Sequence, residues 1–386
     1  LSTFWLEHQW GLVVFLAFLL LIAFSNGLTL RRLSSRSVPQ HLPTVSILVP
    51  VRNEQAVIAD CLRSLLAQDY PHFQVLVLDD GSTDDTRRIL EHLAQTDERL
   101  QIFSGASLPE GWLGKSWACH QLAQVATGEL FLFTDADTTH HPHALRAGVA
   151  ALLAENADLV TGFLYQRMST WGERLTVPTI FWCFFVFLPL ALAYRLRLPI
   201  LSLTNGQWML FRRTAYQTIG GHAAVRSSPI DDIALGRRIK ASGLRWRVVD
   251  ASDYVTCRMY SNLTDAVKGF SKNLFAVFEF RLLPYIFVWT WIALLVLEPP
   301  VVIALWLGGI ARSLFDVNIA LLAVSEMLAL WGLTLVRLRF PLYLLFLYPV
   351  HFTLLVFIAW RSLVLTITGR ITWKGRRLPR QRVRIV

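Results

Sequence analysis

The 386 residues of the chain are 54% hydrophobic and 17% charged, whereas an ordinary soluble domain carries about 25% charged residues, so a wholly water-soluble fold is excluded. The formal net charge is +10, but the basic residues crowd the ends of apolar runs and form no stripe interleaved with aromatics, which excludes a nucleic-acid groove and points to a membrane surface. Cys61, Cys119, Cys183 and Cys257 lie far apart with no C-x-x-C pair, which argues against a disulfide framework or a zinc site and fits a reducing compartment.

Residues 10–30 form the first apolar run, long enough to span a bilayer at about 20 residues. A signal peptide would carry a charged n-region, and residues 1–9 hold only Glu7 and His8, so residues 1–31 read as a transmembrane anchor. Arg31, Arg32 and Arg36 follow directly, and basic residues there put the next segment on the cytoplasmic face. From Thr44 onward short apolar runs alternate with amphipathic stretches. The spacing predicts strands over 45–49, 75–78 and 130–133, a helix over 54–68, and a helix start between Ser82 and Asp85. Strands alternating with helices predict an α/β domain with a mostly parallel sheet covered on both faces, here spanning residues 32–280. Such sheets bind ligands beyond the carboxyl ends of their strands.

Residues 177–194 are apolar, with two prolines and with Phe181, Trp182 and Phe184 at the centre. Inside a soluble-type region, prolines and aromatics suit helices lying in the membrane interface, near 174–198. Residues 281–369 hold the remaining transmembrane segments, at 285–310, 317–336 and 341–366, and residues 370–386 form a basic tail. Three spans after a cytoplasmic domain would leave that tail outside, against its seven basic residues from Arg370 to Arg384. The basic residues are the stronger signal.

The acidic groups sit at strand ends. Asp135-Ala136-Asp137 follows an apolar strand, and two carboxylates so placed reach one Mg²⁺ or Mn²⁺ while leaving positions for substrate phosphate oxygens. Such a cation neutralises charge on a departing nucleoside diphosphate. His140, His141 and His143 read as loop residues, because hard metals prefer oxygen. Pro50-Val51-Arg52-Asn53-Glu54 and Asp79-Asp80-Gly81-Ser82 close two other strands, and turns of this kind suit a nucleotide. Gly111-Trp112-Leu113-Gly114-Lys115 opens a helix whose lysine can pair with a diphosphate. It is not a P-loop, since Pro109 stands where the first glycine belongs, and an ATPase is disfavoured. Asn205-Gly206-Gln207 precedes an apolar strand. Pro229-Ile230-Asp231-Asp232 opens a helix, and with one acid as a cap the other is free to act as a general base.

Together, in this order, these elements resemble the family-2 glycosyltransferases over residues 44–275. Gly111-Trp112-Leu113-Gly114-Lys115-Ser116-Trp117-Ala118 and Trp373-Lys374-Gly375-Arg376 suggest the membrane-bound subset acting on carotenoid, hopanoid-associated or ceramide-type lipids. The resemblance implies a GT-A-like nucleotide-binding domain. It implies that Pro50, Glu54, Asp79 and Asp80 contact the nucleoside, that Asp135 and Asp137 hold the metal and diphosphate, and that Asp232, beside Asp231, is the base of an inverting displacement, while Asn53, Trp112, Lys115, Gly206 and Gln207 are further candidates for binding the donor. Processive synthases of the family carry Q-x-x-R-W, but here Ser242 precedes Arg245-Trp246, so a single transfer is expected. Arg258 and Lys272 are candidates for the missing cation at the diphosphate.

The expected activity is therefore transfer of one sugar from a nucleotide-diphosphate sugar, a UDP-sugar first, to a membrane lipid on the cytoplasmic face. A polyprenyl phosphate is the alternative acceptor. Glu298, Asp316 and Glu326 are too sparse for a transporter, and a nucleotidyltransferase leaves Asp232 without a role.

Overall fold

The computed structural model describes residues 2–34, 42–310, 313–373, 376–377 and 381–386. Arg36, Lys374, Gly375 and Arg380 lie outside the described residues. In chain order the elements are α1 (Ser2–Thr29), β1 (Val45–Val51), α2 (Ile58–Leu66), β2 (Phe73–Asp79), α3 (Thr86–Ala94), β3 (Leu100–Ser104), α4 (Gly114–Val125), β4 (Leu130–Thr134), β5 (Thr138–His140) and α5 (Ala144–Ala154). There follow β6 (Leu159–Phe163), β7 (Tyr165–Gln166), α6 (Trp171–Phe187), α7 (Leu190–Arg195), β8 (Trp208–Arg212), α8 (Arg213–Thr218), α9 (Asp231–Ala241), β9 (Trp246–Asp250), β10 (Val255–Cys257), α10 (Leu263–Val277), α11 (Leu282–Leu307), α12 (Val317–Arg337) and α13 (Tyr348–Ile367).

Seven strands form the main sheet in the order β3-β2-β1-β4-β8-β6-β9. Their apolar runs are buried on both faces, as crossover helices require. All neighbours are parallel except β8, which is antiparallel to β4 and β6. The register pairs Val51 with Asp79, Thr134 with Trp208 and Phe163 with Asp250. The exits of β1, β2, β4 and β9 and the entry of β8 therefore share one edge. That edge carries the acidic turns and, through antiparallel β8, also receives Gly206 and Gln207.

The same edge meets the apolar helices. Asp250, at the exit of β9, is buried and takes the guanidinium of Arg337 at the end of α12, with Arg32 at 3.7 Å. Backbone bonds join Asp250 to Arg31 and Leu33 just beyond α1. Four helices, at Thr3–Thr29, Leu282–Leu307, Val317–Arg337 and Leu342–Ile367, are long and apolar enough to cross a membrane. The first three run side by side. At the end remote from the sheet, His8 meets Glu298 at 2.9 Å and Gln9 bonds the backbone of Asp316. At the near end Arg337 bonds the carbonyls of Gly27 and Leu30.

The fourth helix is placed differently. At its start His351 donates to the carbonyl of Leu175 on α6, and Phe352 packs on Trp182. At its other end Ser362 Oγ accepts from the N–H of Phe275 on α10. The carbonyl of Ala359 accepts from Tyr285, one turn into α11. Both ends of α13 thus lie by the α/β domain. The final segment returns to the same place, where the N–H groups of Leu282 and Leu283 donate to the carbonyls of Arg384 and Ile385. Helix α6 is apolar on nearly every side and is enclosed by α1, α10, α12 and α13.

Candidate active site

Two of the strand-end turns are latched to each other. Asn53 takes a left-handed conformation (φ +52°), which an asparagine tolerates better than most residues. Its Oδ1 accepts from the N–H of Thr83 at 2.8 Å, and its own N–H donates to Ser82 Oγ at 2.9 Å. The N–H of Glu54 donates to Thr86 Oγ1 at 2.8 Å. Its carbonyl accepts from Val57 and Ile58, which starts α2 four residues later than the periodicity suggested. Asp79 Oδ1 accepts from the N–H of Ser82 at 2.9 Å, and Arg52 bonds the carbonyl of Asp80. Pro50 stands at the end of β1 opposite Leu78. The turn residues thus line one rigid ledge.

Asp135 and Asp137 leave β4 in the next turn, held by Thr138 Oγ1, which donates to the carbonyl of Asp135 at 2.8 Å. Lys115, near the start of α4, reaches across and places Nζ 2.6 Å from Asp135 Oδ1. Burial opposes the charge on Lys115, yet Asp135 and then Asp231 outweigh it and hold the ammonium well above its ordinary pKa. Asp135 is 27% exposed at its side chain. The donors suit a hard divalent cation, since both are carboxylates on one turn. Among the described residues no cluster of three or more metal-ligating side chains occurs. Such a cation would therefore need oxygens from the substrate to complete its shell. His140 lies beneath the turn, bonded to Thr134 and Thr138 and pushed down to about 3 by burial. His141 packs on Tyr254, and His143 meets Asp69.

Helix α9 opens on the two acids. Asp231 is buried, while Asp232 is partly exposed. Asp232 Oδ2 accepts from the N–H of Gly206 at 2.8 Å, and Oδ1 accepts from the N–H of Ile233 at 2.8 Å. Burial and then the adjacent charge of Asp231 push Asp232 up to about 6. Asp231 itself is held below the carboxylate range, because His222, Lys115 and Lys272 overcome its burial. Lys272, from α10, joins the group and is pushed down to about 8 by burial and by the positive charge of Lys115. A carboxylate poised near neutrality beside a fixed anion can take a proton from a hydroxyl.

Gly206 lies close against Asp232. A Cβ there would stand 3.1 Å from Asp232 Oδ2 and 3.2 Å from Asp232 Cβ. Gly206→Ala is expected to displace the carboxylate and lower kcat by about tenfold to a hundredfold. The thermal midpoint should hardly move. Wild-type turnover in the alanine variant would contradict this placement of Asp232.

The structure does not bring every sequence candidate together. Gln207 is buried, its side chain accepting from Gln166 and Asn205, and its carbonyl accepts from Thr134 below the Asp135-Asp137 turn. Trp112 packs on Trp117 and His120, with ring centroids 4.9 and 5.0 Å apart, on the loop before α4. The guanidinium of Arg258 goes to buried Glu173, Nε to Oε1 at 2.9 Å, while the backbone N–H of Arg258 donates to the carbonyl of Asp137 at 3.2 Å. Arg258 thereby ties the Asp135-Asp137 turn to the start of α6, where Glu173 also closes a capping box with Thr170. Arg245 and Trp246 lie at the entry of β9, the opposite edge from the acidic turns.

Two residues escaped the sequence reading: His222, which faces Asp231, and Glu173, which pairs with Arg258 from 85 positions away, while Arg52 of the β1 turn supports Asp80. Only the capping-box spacing Thr170-x-x-Glu173 was available as a signal.

Residues 46–220 match the model of the family described as Glycosyl transferase family 2. The beta-monoglucosyldiacylglycerol synthase of Nostoc sp. is 38% identical over 104 residues, which cover 26% of this chain and 22% of that protein. The 4,4'-diaponeurosporenoate glycosyltransferase of Staphylococcus aureus is 26% identical over 255 residues, or 63% of this chain and 64% of that protein. The chain spans less than two thirds of the length of such curated relatives. Among solved structures, the mannosyltransferase PcManGT from Pyrobaculum calidifontis, in complex with GDP-Man and Mn²⁺, shares the fold. It aligns over 93% of this chain and 99% of its own, with a TM-score of 0.56 and 20% identity. From β1 through α8, then, the chain matches the glycosyl transferase family 2 model, and its fold is the one shared with that mannosyltransferase.

Proposed function

We propose that the protein transfers a single sugar from a nucleotide-diphosphate sugar to a hydroxyl-bearing membrane lipid, with inversion at the anomeric carbon. The observation that carries this reading is the shared edge. Asp232, the Asp135-Asp137 turn and the latched β1 and β2 turns all open on the edge that abuts the apolar helices. The relatives named for a glucosyldiacylglycerol and for 4,4'-diaponeurosporenoate support a lipid acceptor.

In the reaction Asp232 takes the proton of the acceptor hydroxyl. The acceptor oxygen bonds to the anomeric carbon as the bond to the diphosphate oxygen breaks, and the electron pair leaves with the nucleoside diphosphate. Asp135 and Asp137 would hold a divalent cation, Mg²⁺ or Mn²⁺, which neutralises charge on that leaving group. Lys115 and Lys272 supply further positive charge beside the acids. The position of Arg245-Trp246 on the opposite edge favours single transfer over polymer synthesis.

The protein should be reconstituted in liposomes and supplied with UDP- and GDP-sugars, the latter because the structural neighbour was solved with GDP-Man. Lipid-dependent release of nucleoside diphosphate is expected from one donor. Release no greater than in lipid-free detergent, for every donor, would sink a lipid acceptor.

The membrane arrangement belongs to the same proposal. Helices α1, α11 and α12 cross the bilayer, while α13 lies along the domain-side face with both ends at the α/β domain. The basic C-terminus then returns to the cytoplasmic side, which satisfies the charge rule that three tail spans would violate. Ile385→Cys should react with an impermeant maleimide from the same side as Gln101→Cys in the domain. Opposite sidedness would restore α13 as a span.

A further inference from the structure

His222 is wholly buried on the short turn Gly221–Val225, and the described neighbours fix its tautomer. Its backbone N–H donates to Tyr216 Oη at 3.0 Å, and Tyr216 Oη lies 2.7 Å from His222 Nδ1. The phenol is buried and has no other acceptor among the described residues. Its single hydrogen therefore goes to Nδ1, which leaves the imidazole proton on Nε2. Gly221 makes this closure feasible, since it has φ +49° and a Cβ there would overlap the Tyr216 ring at 2.5 Å.

Nε2 faces Asp231 Oδ2 at 3.5 Å. Both atoms are buried, and neither has a hydrogen-bond partner among the described residues. Unliganded sites often hold such pairs slightly open and tighten them when the substrate complex forms. We propose that His222, set by Tyr216, is a positioning residue for the transfer, which donates its Nε2–H to Asp231 and so keeps that anion aligned beside Asp232. The proposal rests on the glycosyl-transfer reading above.

The surroundings fit a donor there. Asp231 is also faced by Lys115 and Cys119 from α4, by Lys272 from α10 and by Tyr216 from α8, with Asp232 next in the chain. His120 adds a second imidazole near His222. Two lysines alone would draw Asp231 toward α4 and α10, and His222 supplies the directional bond on the remaining side.

The test compares His222→Leu, His222→Gln and Tyr216→Phe in the reconstituted full-length protein. Glutamine reaches the Nε2 position with an N–H and presents an oxygen that other buried groups can use, whereas leucine offers neither. His222→Leu is expected to lower kcat by about tenfold or more, the loss of a hydrogen bond to a charged group. The KM for the donor should stay near the wild-type value, and His222→Gln should recover most of the loss. Independently of turnover, ¹⁵N NMR of histidine-labelled protein should show His222 protonated at Nε2, and Tyr216→Phe should perturb that signal. Glutamine as poor as leucine, with both proteins folded, would overturn the relay, and so would a proton on Nδ1. If the wild-type protein transfers no sugar from any donor, the glycosyl-transfer reading fails instead, while the NMR result still judges the tautomer.

Discussion

Asp232→Asn is expected to lower kcat for sugar transfer by about a thousandfold, the middle of the range for loss of a positioned general base. The amide keeps the shape of the carboxylate and can still accept from the N–H groups of Gly206 and Ile233. It has no basic oxygen to receive the proton of the acceptor. Donor affinity, read by nucleotide binding, should change little, because the turns proposed to bind the nucleotide follow β1, β2 and β4 rather than open α9. The same carboxylate sets a pH dependence. A base works only when ionised, and burial with the Asp231 charge raises Asp232 to about 6. Transfer should therefore fall as pH drops through about 6, well above the range in which an ordinary aspartate protonates. A pH profile flat down to 5, or near-normal turnover in the asparagine variant, would move the base elsewhere. It would also favour an acceptor that is already anionic, such as a polyprenyl phosphate.

The second large effect concerns the Asp135-Asp137 turn. Asp137→Ala should reduce transfer by about a thousandfold, as expected when several kcal/mol of leaving-group stabilisation are lost. Treating the wild-type protein with a chelator should abolish transfer, and Mn²⁺ or Mg²⁺ should restore it. Asp135→Ala carries a further consequence, because it also strips the 2.6 Å partner from Lys115. Its loss should not be rescued by any excess of metal. Transfer that persists through chelation would show that Lys115 and Lys272 stabilise the diphosphate unaided.

Much of the candidate site's placement was legible because its acidic residues sit where apolar runs stop. Phe131-Leu132-Phe133 before Asp135, and Val75 to Leu78 before Asp79, each read as a buried strand with an acidic exit. The alternation of strands and helices then put those exits on one edge. The unread part depended on contacts remote in sequence. Nothing local to Gly206 reveals that β8 runs antiparallel between β4 and β6 and so delivers it to Asp232. Arg258 read as a free cation because its partner, Glu173, lies 85 residues away at a helix cap. Helix α13 has the length and apolarity of a span, and only its contacts with α6, α10 and Tyr285 reveal that both ends stay by the domain. His222 lacked any signal, since a glycine-flanked histidine in a short turn is an ordinary loop by composition.

The proposed reaction makes one demand on the product: the sugar must end on a lipid, alone and inverted. Mass spectrometry with proton NMR of the lipid extract, after reaction with a single labelled nucleotide sugar, reads all three. The account predicts one hexose per lipid, attached with the anomeric configuration opposite to that of the donor. A retained configuration, a ladder of added sugars, or label confined to the aqueous phase would contradict it.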